Sequence, residues 1–392
     1  MEQFFEQVET QNDSFVDAAS YVGEVIKVIG VGGGGCNAID NMILGGVKDV
    51  EFIAANTDYK SLVRSKAHHL IQLGKTTTKG LGAGTLPEVG KKAAIEDEAQ
   101  IMSLLKGTDM LFLTAGMGGG TGTGASPVIA DIAKKMNILT VGVVTRPFDY
   151  EGVNRRKVAE EGIEQLSKHV DSLIVIPNEK LMTELDADVS MRDAFAAADD
   201  VLRNAVSGIT EVIKTPGLIS LDYADVKTVM SGRGIAMMGS GTAKGQNRAR
   251  EAVEKAIFSP LLDNISLEGA RGVLVNVSTA TGSLKLSEYN EIIRIVSEHI
   301  DPNAVFKPGM AEIEDMDPEE LRVTVIATGL IEVSDSAPHY FSEKESNAHN
   351  SVQHHDDMDI GEQNVKSSSD DAFASFNNGS GSSIPAFFRK RK

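Results

Sequence analysis

The densest chemical signal in the chain is the run Gly116-Met117-Gly118-Gly119-Gly120-Thr121-Gly122-Thr123-Gly124. An apolar stretch at 110–114 precedes it and the pattern at 126–133 follows, so it reads as a turn between a short buried strand and an amphipathic helix. Glycines at such a turn let backbone N–H groups crowd around an anion at the helix N-terminus. Any Cβ would obstruct that approach, and the helix dipole favours negative charge there. The two threonines add hydroxyl donors. A flexible linker is the plain alternative, but linkers are rarely bracketed so closely by core-type segments.

A second run, Gly30-Val31-Gly32-Gly33-Gly34-Gly35-Cys36-Asn37, again lies between a strand pattern and a helical stretch at 37–44. Alone, its G-x-G-x-x-G spacing also fits a dinucleotide fold, with Asp58 as the ribose-binding acid of a nicotinamide-dependent oxidoreductase. Two such loops in one sheet point instead to one polyphosphate gripped from two sides. Neither is a Walker loop: Gly74-Lys75-Thr76 imitates its end, but His69 stands where the motif needs its first glycine. The chemistry is that of a nucleotide site without a P-loop lysine.

The elements that must hold these loops follow from the pattern. Strand candidates at 25–30, 50–55, 110–114, 138–144 and 172–176 alternate with helical stretches, which implies a mainly parallel sheet covered on both faces. Ligands bind such sheets beyond the carboxyl ends of the strands, where both glycine runs fall. A long helix comes next. Ser190 and Asp193 resemble a capping box, and Phe195, Ala198, Leu202, Val206, Ile209 and Ile213 follow at three- and four-residue steps until Pro216-Gly217. A smaller α+β unit, with a helix at 248–258 and strands at 272–277 and 321–327, runs to Leu330. The expected organisation is a mobile arm at 1–23, a nucleotide domain at 24–188, a central helix at 189–216, an α+β domain at 217–330, a disordered linker at 331–383 and a terminal peptide at 384–392.

Composition excludes several classes. A net charge of −18 and a pI near 4.9 argue against a nucleic-acid binder. The single cysteine, Cys36, excludes an internal disulfide framework and suits a reducing cytosol. The N-terminus has no signal-like pattern, and no run is apolar enough to span a membrane, so a cytoplasmic protein is expected. Residues 331–383 are rich in Ser, Asn, Asp and Gly and hold half of the histidines. They lack the apolar content to offset ordering entropy, and as a coil they would span about 40 Å root-mean-square. His349, His354 and His355 read as titratable linker residues, so no metal ligands are assigned.

GGGTGTG at 118–124 is the tubulin-superfamily signature, and the chain as a whole resembles the FtsZ family of bacterial cell-division GTPases. Supporting runs are Asn56-Thr57-Asp58, Gly80-Leu81-Gly82-Ala83-Gly84, Thr145-Arg146-Pro147-Phe148, Leu221-Asp222-Tyr223-Ala224-Asp225-Val226 and Ile384-Pro385-Ala386-Phe387-Phe388-Arg389-Lys390. The resemblance covers roughly residues 24–330 plus the last nine. It implies a tubulin/FtsZ-like α/β fold with a Rossmann-type GTP-binding domain, the long central helix, the smaller α+β domain and a disordered tail. Beside the oxidoreductase, which leaves GGGTGTG and the aspartate loop unexplained, the second alternative is a tubulin-like filament protein acting outside division, which the terminal peptide argues against.

The resemblance also distributes roles. Guanine presents N1–H and an amino group, which one carboxylate can accept together, and Asp199 aligns with the family's base-reading position. Asp200 beside it reads as an ordinary solvated charge. Asn178 and Asn37 would add amide contacts, and Phe195, one turn before Asp199, would stack on the base or simply fill core. Thr145, Pro147, Glu151 and Arg155 would flank the sugar and α-phosphate, although Glu151 and Arg155 also suit a helical ion pair. Gly32, Gly33 and Gly34 would face the α/β-phosphates. Gly116, Gly119, Gly120, Thr121 and Gly122 belong to the β/γ side, with Ala83 and Gly84 sensing the γ-phosphate. Mg²⁺ would bridge β- and γ-oxygens through water and phosphate ligands.

No water-orienting acid is evident within that set. The family assigns the role to Asp222 and Asp225, which follow the central helix at the far end of the nucleotide domain and would reach only a neighbour's site in a head-to-tail filament. They are otherwise loop and cap residues. Many members carry Asn where this chain has Ser220. Residues 384–392 combine an apolar helical face (Ile384, Phe387, Phe388) with Arg389, Lys390, Arg391 and Lys392. The resemblance implies docking to membrane-tethering division proteins such as FtsA and ZipA, alongside other division-site regulators, at midcell. Direct contact of the basic end with anionic lipid is the alternative.

Overall fold

A computed structural model of the chain describes residues 23–182, 189–215, 218–219, 221–231, 234–262 and 267–330. Residues 1–22 of the expected arm, Pro216-Gly217, Ser220, the linker, its histidines and the terminal peptide lie outside the described residues. Six parallel strands form one side of the sheet: β1 Ile26–Val31, β2 Glu51–Asn56, β3 His69–Gln72, β4 Met110–Gly116, β5 Leu139–Arg146 and β6 Ser172–Pro177. Four more, β7 Gly234–Lys244, β8 Gly272–Ala280, β9 Val305–Ile313 and β10 Glu320–Thr328, complete it in the order β3-β2-β1-β4-β5-β6-β7-β10-β8-β9. The second unit therefore does not carry a separate sheet. β7 pairs in parallel with β6 at Ser172↔Gly234, β10 runs antiparallel between β7 and β8, and β9 lies parallel to β8 at the edge.

Burial explains the strand pattern. All of β1 is buried, as is β8, so β1 is apolar at nearly every position rather than alternating, while β8 also buries Asn276, Ser278 and Thr279. Lys27 is the exception within β1, and its ammonium is satisfied by the Leu104 carbonyl at 2.8 Å and Glu51 at 2.9 Å. The strands end close to their expected limits, each beginning or finishing one or more residues toward the C-terminus. β3, β7 and β9 carry no clear strand pattern in the sequence. β3 is a short edge with His69 and Leu70 exposed, and β9 contains Pro308, which an edge strand tolerates because one of its sides lacks a ladder.

The first helices are α1 Gly32–Leu44, α2 Tyr59–Leu62, α3 Lys75–Thr78, α4 Pro87–Glu96, α5 Glu98–Leu105, α6 Thr121–Lys135, α7 Val153–Ser167 and α8 Asn178–Leu181. They are followed by α9 Met191–Lys214, α10 Tyr223–Met230, α11 Arg248–Ile257 and α12 Leu286–Ser297. One core packs α1, α9 and α10 against the sheet through Ile39, Met42, Leu202, Val206 and Val229. A second packs α5, α6 and α7 on the opposite face, and a third joins α11 and α12 to β7–β10.

The helix α9 has 24 residues and is about 36 Å long at 1.5 Å per residue. Ser190 caps it by accepting from the Asp193 backbone N–H at 3.2 Å. Ala198, Leu202, Val206 and Ile209 are buried as the periodicity requires, but Phe195 is 43% exposed and is not core filling. Further along, Glu211 accepts from Arg322 at 2.7 and 2.8 Å and from Ser278 at 2.9 Å, and Asn276 donates to the Gly208 carbonyl at 3.2 Å. These bonds fasten the helix to β8 and β10. Its other end reaches the carboxyl ends of the parallel strands.

Candidate functional site

Strand register brings the sequence-predicted residues into one row. Val31 pairs with Ala55 and Ala115, Gly116 with Thr145, and Arg146 with Pro177. The ends of β2, β1, β4, β5 and β6 thus place Thr57, Gly32, Gly116, Thr145 and Asn178 side by side. At about 4.8 Å per strand the row is about 19 Å long. That is the scale of a nucleoside triphosphate laid across it.

The two glycine runs interlock at the centre of the row. Gly32 has φ +74°, and a Cβ there would stand 2.9 Å from the Gly122 backbone nitrogen. Gly120 donates its N–H to the Gly84 carbonyl at 3.2 Å, and a Cβ on Gly120 would come within 2.5 Å of that same oxygen. The loop carrying Ala83 and Gly84 is therefore packed directly on the start of α6. Gly33 and Gly119 instead face open space. Thr121, which begins α6, shares a 2.6 Å hydroxyl contact with Thr57, a buried pair of which the sequence reading assigned only Thr121. Thr123, read in the sequence as a second hydroxyl donor to the anion, is buried, and its hydroxyl accepts from the Gly118 N–H at 2.8 Å and fixes the loop from behind.

The other end of the row is shaped for a planar group. Phe195 meets Phe148 edge-to-face at 5.3 Å, and Phe148 stacks on Tyr150 at 5.1 Å. Asp199, one turn along α9, makes no hydrogen bond or ion pair among the described residues. Burial, and secondarily the charge of Asp200, push its carboxyl from the usual 3.8 up to about 7. Asp200 is not a free solvated charge, since it pairs with Arg203 at 3.0 Å. Asn178 is buried at the head of α8, and its side-chain oxygen has no hydrogen-bond partner. Asn37 is exposed on the first turns of α1.

Glu151 and Arg155 do form the ion pair that their spacing allows, at 3.0 Å, and Glu151 also accepts from the Phe148 N–H at 2.9 Å. Arg155 packs over Gly118, so the pair borders the glycine loop. Thr145 and Pro147 are both buried. Asp58 is committed elsewhere: it caps α2 by accepting from Lys60 N–H and the Ser61 hydroxyl, each at 2.9 Å. That removes the acid a dinucleotide site would need. Cys36 is packed, with its thiol pushed up to about 12 by burial, and is inert at neutral pH. A separate groove of about 820 Å³ lies between α4, α6 and α7, and none of Gly33, Gly119 or Asp199 lines it.

Comparison with known proteins agrees with this geometry. The sequence model for the Tubulin/FtsZ family GTPase domain matches residues 25–186, and that for the FtsZ family C-terminal domain matches 234–331. The chain is 60% identical over 309 residues to "Cell division protein FtsZ" of Neisseria gonorrhoeae, covering 79% of each chain. The chain belongs to the FtsZ family. A Pseudomonas aeruginosa FtsZ is 57% identical over 306 residues, covering 78% of this chain and 77% of its own. Among solved structures, an empty FtsZ dimer from M. jannaschii superposes with a TM-score of 0.75 at 42% identity, over 84% of this chain and 92% of that one. The row of glycine loops thus lies in the GTPase domain of an FtsZ-family chain.

Asp222 and Asp225 fall far from this row. Asp222 is the N-cap of α10, accepting from the Asp225 N–H at 2.7 Å. The next residue, Tyr223, donates its hydroxyl to the Asp109 carbonyl at 2.9 Å, at the amino end of β4. From Asp109 to Gly116 that strand spans about 23 Å. Lys214, which ends α9, donates to the Glu24 carbonyl just before β1, at the same end of the sheet. No aspartate side chain bridges that length. Within one FtsZ-family subunit the aspartates and the glycine loops occupy opposite ends.

Proposed function

We propose that this chain binds and hydrolyses GTP, polymerises head to tail and scaffolds the division ring at midcell. Hydrolysis is completed at each junction by a neighbour's Asp222 and Asp225. The observation that carries this reading is the opposition just described, with phosphate-binding loops at the carboxyl ends of β1 and β4 and acids anchored at the amino end of β4. Stacking subunits along the strand direction brings one subunit's acids over the next subunit's phosphates. Such a heterologous contact repeats without closing and so makes a filament.

Within the site, Asp199 accepts from guanine N1–H and the amino group, Asn178 and Asn37 supply amide contacts, and Phe195 covers the ring. Gly32–Gly34 and Gly119–Gly122 offer backbone N–H groups to the phosphates, and Thr121 a hydroxyl. Thr145, Pro147, Glu151 and Arg155 border the ribose. The neighbour's carboxylates orient a water in line with the β–γ bridging oxygen and accept its proton as the γ-phosphorus–oxygen bond breaks, leaving GDP and phosphate. Mg²⁺ would be held by phosphate oxygens and water, and would supply positive charge against the phosphates.

Residues 384–392 are the docking peptide for tethers of the FtsA and ZipA kind and for division-site regulators. No helix among the described residues is long and apolar enough to cross a membrane. Phosphate release per subunit, followed across the polymerisation threshold seen by light scattering with GTP and then GDP, tests the reading. Turnover should rise steeply at the threshold; full turnover in dilute, unpolymerised protein would exclude a shared site.

A further inference from the structure

The edge strand β9 meets the aspartate segment at three points. The Met310 N–H donates to the Ile219 carbonyl at 2.9 Å. Gly309 leaves space that Leu221 occupies, since a Cβ on Gly309 would stand 3.0 Å from that side chain. Lys307, two residues earlier on the same strand face, places its ammonium 2.6 Å from the Asp225 carboxylate. Both side chains are about one-third exposed, at 35% and 30%, so the pair lies at the surface where a neighbouring subunit would arrive.

This arrangement rests on the reading of Asp225 given above and adds a residue to it. We propose that Lys307 is a positioning residue for inter-subunit hydrolysis, fixing the direction of the Asp225 carboxylate and offsetting its charge as it meets the neighbour's phosphates. Two carboxylates brought against a triphosphate repel it, and a lysine in direct contact reduces that repulsion while leaving the second Asp225 oxygen for water. Lys307 holds the Asp225 carboxyl below the usual carboxylate range, with smaller help from hydrogen bonding to Asp222. β8, which also packs on α10, carries no titratable residue, and Glu211 of α9 is engaged by Arg322. Among the described residues, Lys307 is thus the cation paired with Asp225.

The test compares wild type, Lys307→Met, Lys307→Arg and Asp225→Ala in three measurements: GTP binding by dilute protein, polymerisation threshold and phosphate release per polymerised subunit. Lys307→Met should bind GTP as wild type does and lose about tenfold in turnover per polymerised subunit, less than the ~100-fold that a misplacement of one ångström can cost. Lys307→Arg should restore most of it. Mixing Lys307→Met, which retains an intact nucleotide site, with Gly120→Ala, which retains an intact aspartate segment, should raise turnover above either alone. A defect of folding would not be rescued in that way. Wild-type turnover in Lys307→Met while Asp225→Ala is inactive overturns the role of Lys307 alone, and so does failure of Lys307→Arg to restore activity. Wild-type turnover in polymerised Asp225→Ala overturns the underlying reading of Asp225 instead.

Discussion

The side-chain amide of Asn41 on α1 donates to Asp200 on α9 at 3.2 Å, while Arg203 donates to the oxygen of that same amide at 3.3 Å. This clasp between two helices separates two adjacent aspartates by role. Asp200 holds α9 against α1, and Asp199 is left half-buried without a partner among the described residues, as the proposed role of base acceptor requires.

Asp199→Asn should weaken GTP binding by about 1–3 kcal/mol, the cost of leaving buried polar groups poorly paired. Titration of GTP against ATP checks the assignment, since wild type that binds both equally would have no guanine reader. The pH dependence has a definite sign. With the free carboxyl raised to about 7, GTP affinity should fall as pH drops below that value, because guanine requires the ionised form. For the empty protein the linkage runs the other way. A folded value above the unfolded 3.8 stabilises fully below 3.8, and that stability is lost as pH rises through about 7. Asp199→Asn should therefore gain in thermal stability, relative to wild type, when nucleotide-free protein is compared above and below this window.

Gly120→Ala and Gly33→Ala should behave differently despite their shared position at the phosphates. A Cβ at Gly120 collides with the Gly84 carbonyl, and such overpacking costs about 1–3 kcal/mol of folding stability. A Cβ at Gly33 meets nothing in the empty protein. Gly33→Ala should melt like wild type without nucleotide yet lose the stabilisation that GTP confers. Parallel melting curves with and without GTP separate the two effects; an equal loss in both variants without nucleotide would contradict the packing account.

Much of this site was legible because its physics is local. A strand, a glycine run and a helix in succession announce an anion site, and both loops lie where that pattern puts them. What was not legible depends on contacts distant in sequence. Thr57 and Thr121 meet across 64 positions, and Lys307 reaches Asp225 from a strand whose Pro308-Gly309 hides its pattern. Phe195 fits the apolar stripe by spacing, yet it stands at the end of α9 where Phe148 covers only one of its edges. The continuity of the sheet from β6 into β7 was equally hidden, since Gly234-Ile235-Ala236 carries little strand signal of its own.

Glu211→Ala removes the acceptor shared by Arg322 and Ser278, leaving Ser278 buried and Arg322 mostly so without that partner. A loss of about 1–3 kcal/mol in unfolding free energy is expected. Hydrogen exchange should show the largest gain in opening along β8 and the carboxyl half of α9. Protection unchanged there would mean that apolar packing alone couples the helix to the second half of the sheet.

Removal of residues 384–392 should spare GTP turnover and filaments while abolishing binding to the membrane tethers and attachment of the ring. Pull-down by purified tethers and binding to anionic vesicles over a salt series distinguish the two sources of attachment. Direct lipid contact would appear as vesicle binding without a tether that falls steeply with salt. Unchanged tether affinity after truncation would refute the docking role.

The shared site itself is tested most directly by mixing. Asp222→Ala keeps its glycine loops and lacks an acid, whereas Gly120→Ala keeps its acids and has disturbed loops. Each should release phosphate slowly alone. In an equimolar copolymer about one junction in four joins an intact loop to an intact acid, so turnover should recover to roughly a quarter of the wild-type rate. Turnover in the mixture equal to the mean of the two separate proteins would contradict hydrolysis across the subunit junction.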